Sequence, residues 1–139
     1  MRKTFEEKRD DWLKANGLYT SLRDKVNAER DRRELLPFPW NDKLYDGDAA
    51  STKRVMGLVL SATIYLQSGG SPTSLRWFDG VEDFLFTAAD NSATPVTAVQ
   101  MLELGKAQGL YVGHLHAKAK ALKAMDPIPE DYTDDSYWI

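Results

Sequence analysis

Apolar residues near the start of the chain recur at the spacing of an amphipathic helix. Four of them stand seven residues apart: Phe5, Trp12, Tyr19 and Val26. Thr4 and Glu7 form a Ser/Thr-x-x-Glu capping box at the beginning of this segment. Asn16-Gly17 interrupts it, which leaves either one bent helix or two helices joined at a left-handed residue. Because the phase of the apolar stripe continues across Gly17, we expect one bent helix.

The following part of the chain predicts a helix end, a polar connection and a central helix. The run Leu-Leu-Pro-Phe-Pro-Trp at 35–40 stops the first helical region, because each proline removes a backbone donor. The connection reaches about Asp48 and carries Trp40, which we expect to pack on the body. From Asp48 or Ser51 to Gln67 the chain is apolar nearly all the way round, which is typical of a buried central helix.

Two more helix starts are marked by an N-cap followed by proline. Ser71-Pro72 predicts a helix that reaches about Ala89, and Thr94-Pro95 predicts a last helix that ends near Met125. We therefore expect an all-α fold, a compact bundle of four to five helices over residues 1–126. The remaining residues, 127–139, are expected to form a flexible acidic tail.

Composition and charge narrow the classes of function. The chain has 139 residues, of which 42% are apolar, enough for one domain with a core. Its 18 Lys and Arg against 21 Asp and Glu argue against a protein held to nucleic acid by bulk attraction. Cysteine is absent, which excludes disulfides, thiolate metal sites and thiol nucleophiles. No residue set for catalysis and no cofactor signature is evident, so we expect a protein that is not an enzyme and holds no cofactor.

The apolar segments do not predict export or a membrane span. The N-terminus, MRKTFEEKRDD, is charged where a secretory signal needs apolar residues. The uncharged run 55–75 is strongly apolar only as far as residue 66, about half of what a bilayer requires. We therefore expect a location in the cytoplasm of the producing or infected cell.

The last predicted helix contains a ridge of small residues. They recur at every fourth position: Gly105, Gly109, Gly113, Ala117 and Ala121. An interior glycine costs about 1 kcal/mol relative to alanine, so the three glycines need a reason. One reason is close approach of a second helix, from the same chain or from a second copy in a homodimer. The other is a break of the helix at Gly105 or Gly109, and the two interpretations are evenly balanced.

A break near Gly109 would create a helix-turn-helix over residues 99–123. Its second helix would then carry residues able to face DNA: His114, Lys118, Lys120 and Lys123. That helix has no arginine to read guanine, and lysines near a helix C-terminus are also favoured by the helix dipole. A solvated basic face is therefore the preferred interpretation.

The two histidines, His114 and His116, raise the question of a metal site. On a strand their spacing would direct both imidazoles to one face, which suits a metal ion. On the helix predicted here they diverge by about 200°. We therefore expect two separate histidines and no bound metal.

The tail combines acidic residues with an aromatic end. Five acidic residues from Asp126 onward precede Tyr137-Trp138-Ile139. In composition this segment resembles the acidic tails by which single-stranded-DNA-binding proteins recruit partners, although the five strands of an OB-fold are not predicted in the body. The tail either docks on a partner or folds back and covers Trp138 and Ile139. We favour the second, because an apolar terminus is normally covered.

These observations lead to three hypotheses of function. The first is a non-enzymatic protein-binding module, such as the small inhibitors and accessory proteins that phages and mobile elements encode, with another protein as partner rather than nucleic acid or a membrane. Its candidate contact residues are Trp40, Gly105, Gly109, Gly113, Tyr137, Trp138 and Ile139. The alternative is a DNA-binding regulator that uses residues 99–123. The least favoured is a metal-dependent enzyme at His114 and His116.

Overall fold

The computed structural model describes residues 2–18 and 20–139, and within them four α-helices are combined with two antiparallel two-stranded sheets. The elements follow in this order: α1 (Phe5–Ala15), α2 (Leu22–Glu34), β1 (Phe38–Trp40), β2 (Lys43–Tyr45), α3 (Ala49–Gln67), β3 (Leu85–Thr87), β4 (Ala93–Pro95), α4 (Ala98–Lys123) and a 3-10 helix (Asp135–Tyr137). The fold is therefore mixed α and β, and the all-α prediction is wrong.

The N-terminal region forms two helices instead of the single bent helix expected. A left-handed residue, Gly17 at φ +69°, follows the end of α1, and a new N-cap, Ser21, starts α2. The apolar stripe was misleading because its members do not share a core: Trp12 is exposed, whereas Val26 is fully buried. Tyr19 lies outside the described residues.

The first hairpin lies in the segment that was predicted to be a polar connection. Strands β1 and β2 pair through a two-residue turn, Asn41-Asp42, whose φ angles are +50° and +64°. Two successive left-handed residues define a type I′ turn, whose twist matches that of the paired strands. Trp40 pairs with Lys43 next to this turn, so the connection is a packed hairpin.

The second hairpin replaces the helix predicted from Ser71-Pro72 to Ala89. Phe84 and Phe86 are two residues apart, and both pack against the core, as the period of a strand requires. The residues on either side of this strand form turns, so the chain here is not helical. Thr94-Pro95 is the end of β4 and not a helix start, since the capping box of α4 begins at Thr97.

The central helix is α4 and not the segment near residues 52–67. The N-terminal half of α4 packs on α3 and its C-terminal half packs on α2. Helix α3 buries only one side, which contains Val55 and Ala62, and leaves Leu60 exposed. No helix in the described part of the chain is long and apolar enough to cross a bilayer.

Two hydrophobic cores result from this arrangement. The first lies between α3, α4 and the hairpins and contains Phe38, Tyr45, Val55, Ala62, Trp77, Ala88, Val96, Ala98, Met101 and Leu104. The second lies between α2, α4 and the C-terminal segment and contains Val26, Leu115, Ala119, Leu122 and Trp138. We call them the hairpin core and the C-terminal core.

Candidate functional site

The C-terminal segment packs against α2 and α4, so the expectation of a flexible tail is wrong, whereas the preferred interpretation that the tail folds back is confirmed for Trp138 but not for Ile139. Trp138 is only 2% exposed, and its indole N–H donates to the Tyr132 carbonyl at 2.7 Å. Tyr137 is half-buried, and its hydroxyl donates to Asp131 at 3.0 Å. Ile139 is 80% exposed. Of the three terminal residues proposed to bind a partner, two therefore pack on the protein's own surface and one is accessible.

Arg33 of α2 anchors this segment. Its Nε donates to Glu29 at 2.9 Å, and its Nη2 donates to the Thr133 carbonyl and to Asp135, each at 2.8 Å. The guanidinium lies 5.2 Å from the centre of the Trp138 ring, within cation–π range. Because its charge is paired with two carboxylates, Arg33 can remain buried. Sequence reasoning missed this anchor, because its partners in the C-terminal segment lie about a hundred residues away.

Glu29 is the acidic centre of the same network. Hydrogen bonds from Arg32 at 2.6 and 3.0 Å are the main reason that the pKa of Glu29 lies below its ordinary value. Partial burial opposes this shift, and Arg33 adds to it. Burial raises the pKa of Tyr111, whose hydroxyl donates to the Arg33 carbonyl at 2.9 Å. These groups are satisfied within the protein, which is typical of a structural network.

The histidines are separated by the helix that carries them. His114 Nε2 lies 3.2 Å from the Trp138 carbonyl, whereas His116 Nε2 lies 2.5 Å from Glu34 Oε1. Among residues 2–18 and 20–139, no group of three or more His, Cys, Asp or Glu side chains is placed to hold a metal ion. The shared face on which the metal hypothesis depends is therefore not formed.

The helix-turn-helix alternative also lacks its geometry. Helix α4 runs without a break from Ala98 to Lys123, so residues 99–123 contain no turn. A capping box between Thr97 and Gln100 and packing on two helices compensate for the cost of the glycines. Of the lysines proposed to face DNA, Lys120 is exposed and Lys118 is half-buried, but Lys123 donates to Asn27 of α2 at 2.8 Å.

The ridge of small residues is divided between two environments. A Cβ added at Gly105 would lie 2.6 Å from Val59 Cγ2, so this glycine permits the close approach of α3 to α4. A Cβ added at Gly109 or Gly113 would meet nothing within 4 Å. Leu110 lies between them and is 65% exposed. We call Gly109, Leu110, Gly113 and the exposed Ala117 the outer face of α4.

A second apolar surface lies on α3, and sequence reasoning placed it in the core. Met56, Leu60 and Ile64 are 67%, 61% and 55% exposed, and they stand four residues apart. We call these three residues the outer face of α3. No charged residue occurs between positions 55 and 75, so hydrophobicity alone gave no sign that this side is exposed.

Trp40, another proposed contact residue, supports the hairpin core. Its ring centre lies 5.7 Å from that of Tyr45, and the side chain is half-buried. Lys43 donates to Ser92 at 2.8 Å and to Thr94 at 3.1 Å, which ties the first hairpin to the second. The position of Trp40 therefore has a structural explanation within the chain.

The fold and its exposed faces define a small helical domain with two β-hairpins and an anchored C-terminal segment. The chain belongs to the DUF4376 family, described as a domain of unknown function, which it matches over residues 18–136. No curated protein and no solved structure matches the chain. The matched region includes the hairpin core and all of the C-terminal core except Trp138, whereas α1, which buries no residue, precedes it.

Proposed function

We propose that this protein is a non-enzymatic protein-binding module that contacts its partner through the outer face of α4. The observation that carries the proposal is the pair of solvent-facing glycines, Gly109 and Gly113, in the interior of a long helix. Each costs about 1 kcal/mol relative to alanine, and no packing within the described residues requires either of them.

Close approach of a partner would account for both glycines. Gly105 provides the internal precedent, because there the absence of a side chain allows α3 to reach the backbone of α4. A partner helix that approaches Gly109 and Gly113 in the same way would cover Leu110, which is otherwise exposed. We place this interaction in the cytoplasm, on the basis of the cysteine-free chain.

The test uses a change that separates stability from binding. We expect the double variant Gly109→Gln, Gly113→Gln to be more stable by roughly 0.5 kcal/mol per site, because glutamine is the better helix former. The added side chains would stand between α4 and the partner. We expect a protein captured by the wild type from a lysate of the producing cell to be depleted at least about tenfold with the variant, which corresponds to about 1.4 kcal/mol. Quantitative mass spectrometry measures the capture, and urea unfolding measures the stability.

The matched control is Lys25→Ala, an exposed position on α2. This variant should retain the captured protein at the level of the wild type. A double variant that is stabilised and still captures the same proteins would contradict the proposal, because the glycines would then have no role in binding.

A further inference from the structure

The outer face of α3 has the geometry of a helix-packing surface. Met56, Leu60 and Ile64 form a ridge at i, i+4 and i+8, and each keeps more than half of its surface in solvent. Two small exposed residues, Gly57 and Ser61, lie beside the ridge, and a Cβ added at Gly57 would meet nothing within 4 Å. Ridges of this spacing pack into the grooves of a second helix.

The surface of the whole chain is larger than that of a compact monomer. Its solvent-accessible area is 9387 Å². Monomeric proteins of 15.7 kDa have roughly 7,300 Å², so about 2,100 Å² is in excess. A standard interface takes about 800 Å² from each partner. This excess, which includes the surface of α1, is larger than the share that one partner contributes to a standard interface.

We propose that the occupant of this face is a second copy of the chain, with the two α3 helices packed antiparallel about a two-fold axis at Leu60. In this arrangement Leu60 meets Leu60 of the second copy, and Met56 meets Ile64 of the second copy. Such an interface is self-complementary, as two-fold symmetry requires. The uncharged stretch from 55 to 75 lets the helices meet without burial of a charge.

The charges at the ends of α3 favour the antiparallel orientation. Lys53 precedes Leu60 by seven residues and Gln67 follows it by seven, so the axis brings Lys53 of each copy to the C-terminal end of the other helix. That end carries the negative pole of the helix dipole, which attracts Lys53 and the neighbouring Arg54. A parallel arrangement would bring the basic residues of both copies together.

Sedimentation velocity on the full chain tests the proposal. The wild type is expected at twice the 15.7 kDa of the monomer, and Leu60→Lys is expected at the monomer mass, because it places two like charges on the axis. Leu44→Lys is the control, since Leu44 is comparably exposed on the first hairpin, and it should remain dimeric. A monomeric wild type, or a dimer that Leu60→Lys leaves intact, would overturn the proposal.

A cross-linking experiment gives a second, independent readout. The chain contains no cysteine, so Leu60→Cys introduces a unique thiol on the proposed axis. Mild oxidation should convert most of this variant to a disulfide-linked dimer, whereas Leu44→Cys should remain largely monomeric. Equal cross-linking of the two variants would overturn the proposal. The Gly109→Gln, Gly113→Gln variant should still dimerise, so failure of the proposed function and failure of the dimer are distinguishable.

Discussion

The two cores of the molecule are held together by different chemistry. The hairpin core is apolar and includes aromatic rings in contact with their neighbours: Tyr45 stacks on Phe86, which packs against the core, with ring centres 5.7 Å apart. The C-terminal core instead borders a buried ion pair between Arg33 and Glu29, in which the Arg33 guanidinium lies over the Trp138 ring. An aromatic ring that loses one neighbour keeps others, but a buried charge that loses its partner is left uncompensated. The packing of the C-terminal core therefore depends on few charged groups and on their protonation.

The largest expected effect is the removal of Arg33. Arg33→Ala removes the cation that joins Glu29 to Asp135 and to the Thr133 carbonyl, whereas Glu29 keeps its hydrogen bonds from Arg32, so we expect a loss of about 1.5–3 kcal/mol in the free energy of unfolding. Urea unfolding measures this loss. Arg32→Ala is the matched control, because its side chain is 58% exposed and binds the same Glu29.

The control also separates the effect of an arginine on the pKa of Glu29 from its contribution to the free energy of unfolding. Arg32 contributes most to the low pKa of Glu29, yet its exposed guanidinium should contribute only about 1 kcal/mol or less to stability. If Arg32→Ala were as destabilising as Arg33→Ala, burial would not explain the difference between the two arginines in their contribution to stability. The contrast between the two cores would then be weakened.

A smaller effect is expected from acidification. Because the pKa of Glu29 is lower in the folded than in the unfolded chain, its stabilisation is complete above the unfolded value of about 4.3 and is lost as the pH falls through the folded value. Amide hydrogen exchange should show that residues 126–139 lose protection at a higher pH than the two hairpins. Glu29→Gln should abolish this difference between the cores. Loss of protection at one common pH in the wild type would contradict the expectation.

The smallest expected effect is a gain in stability from a substitution in the hairpin core. Within the described residues, the Tyr45 hydroxyl is buried without a hydrogen-bond partner. Tyr45→Phe removes this unsatisfied group, and we expect thermal unfolding to show a gain of about 1 kcal/mol. Tyr111→Phe should lower the free energy of unfolding by about 1 kcal/mol, because the Tyr111 hydroxyl donates to the Arg33 carbonyl. A loss at both positions would show that the Tyr45 hydroxyl is satisfied in solution.

Two helix ends were predicted correctly from the sequence, whereas the helix starts predicted at Ser71-Pro72 and Thr94-Pro95 were wrong. The capping box of Thr4 and Glu7 is confirmed, with hydrogen bonds of 2.9 and 3.2 Å. The end of the central apolar segment at Gln67 is also confirmed, because Ser68 is the C-cap of α3 and Gly69 has φ +88°. These two features depend on residues within one turn of each other, so a local pattern can contain them.

The two hairpins and the contacts of Arg33 with the C-terminal segment could not be predicted from local sequence patterns. Each strand has three residues, too few for a two-residue period to be distinguished from a helical one. The Asn41-Asp42 turn was the available signal for the first hairpin. Nothing near Arg33 indicated that it would bind Asp135, and nothing within α3 indicated that Leu60 would be exposed.

One helix, α4, contributes to both cores. The number of residues between its two sets of contacts therefore fixes how those contacts are oriented about the helix axis. The hairpin core uses the turns near Leu104, and the C-terminal core uses the turns near Leu115. Insertion or deletion of one residue between them would rotate one set of contacts against the other by about 100°. A change in the length of the loops that connect the hairpins does not rotate such contacts. We therefore expect natural variation in length to be admitted in the loops and excluded from the middle of α4.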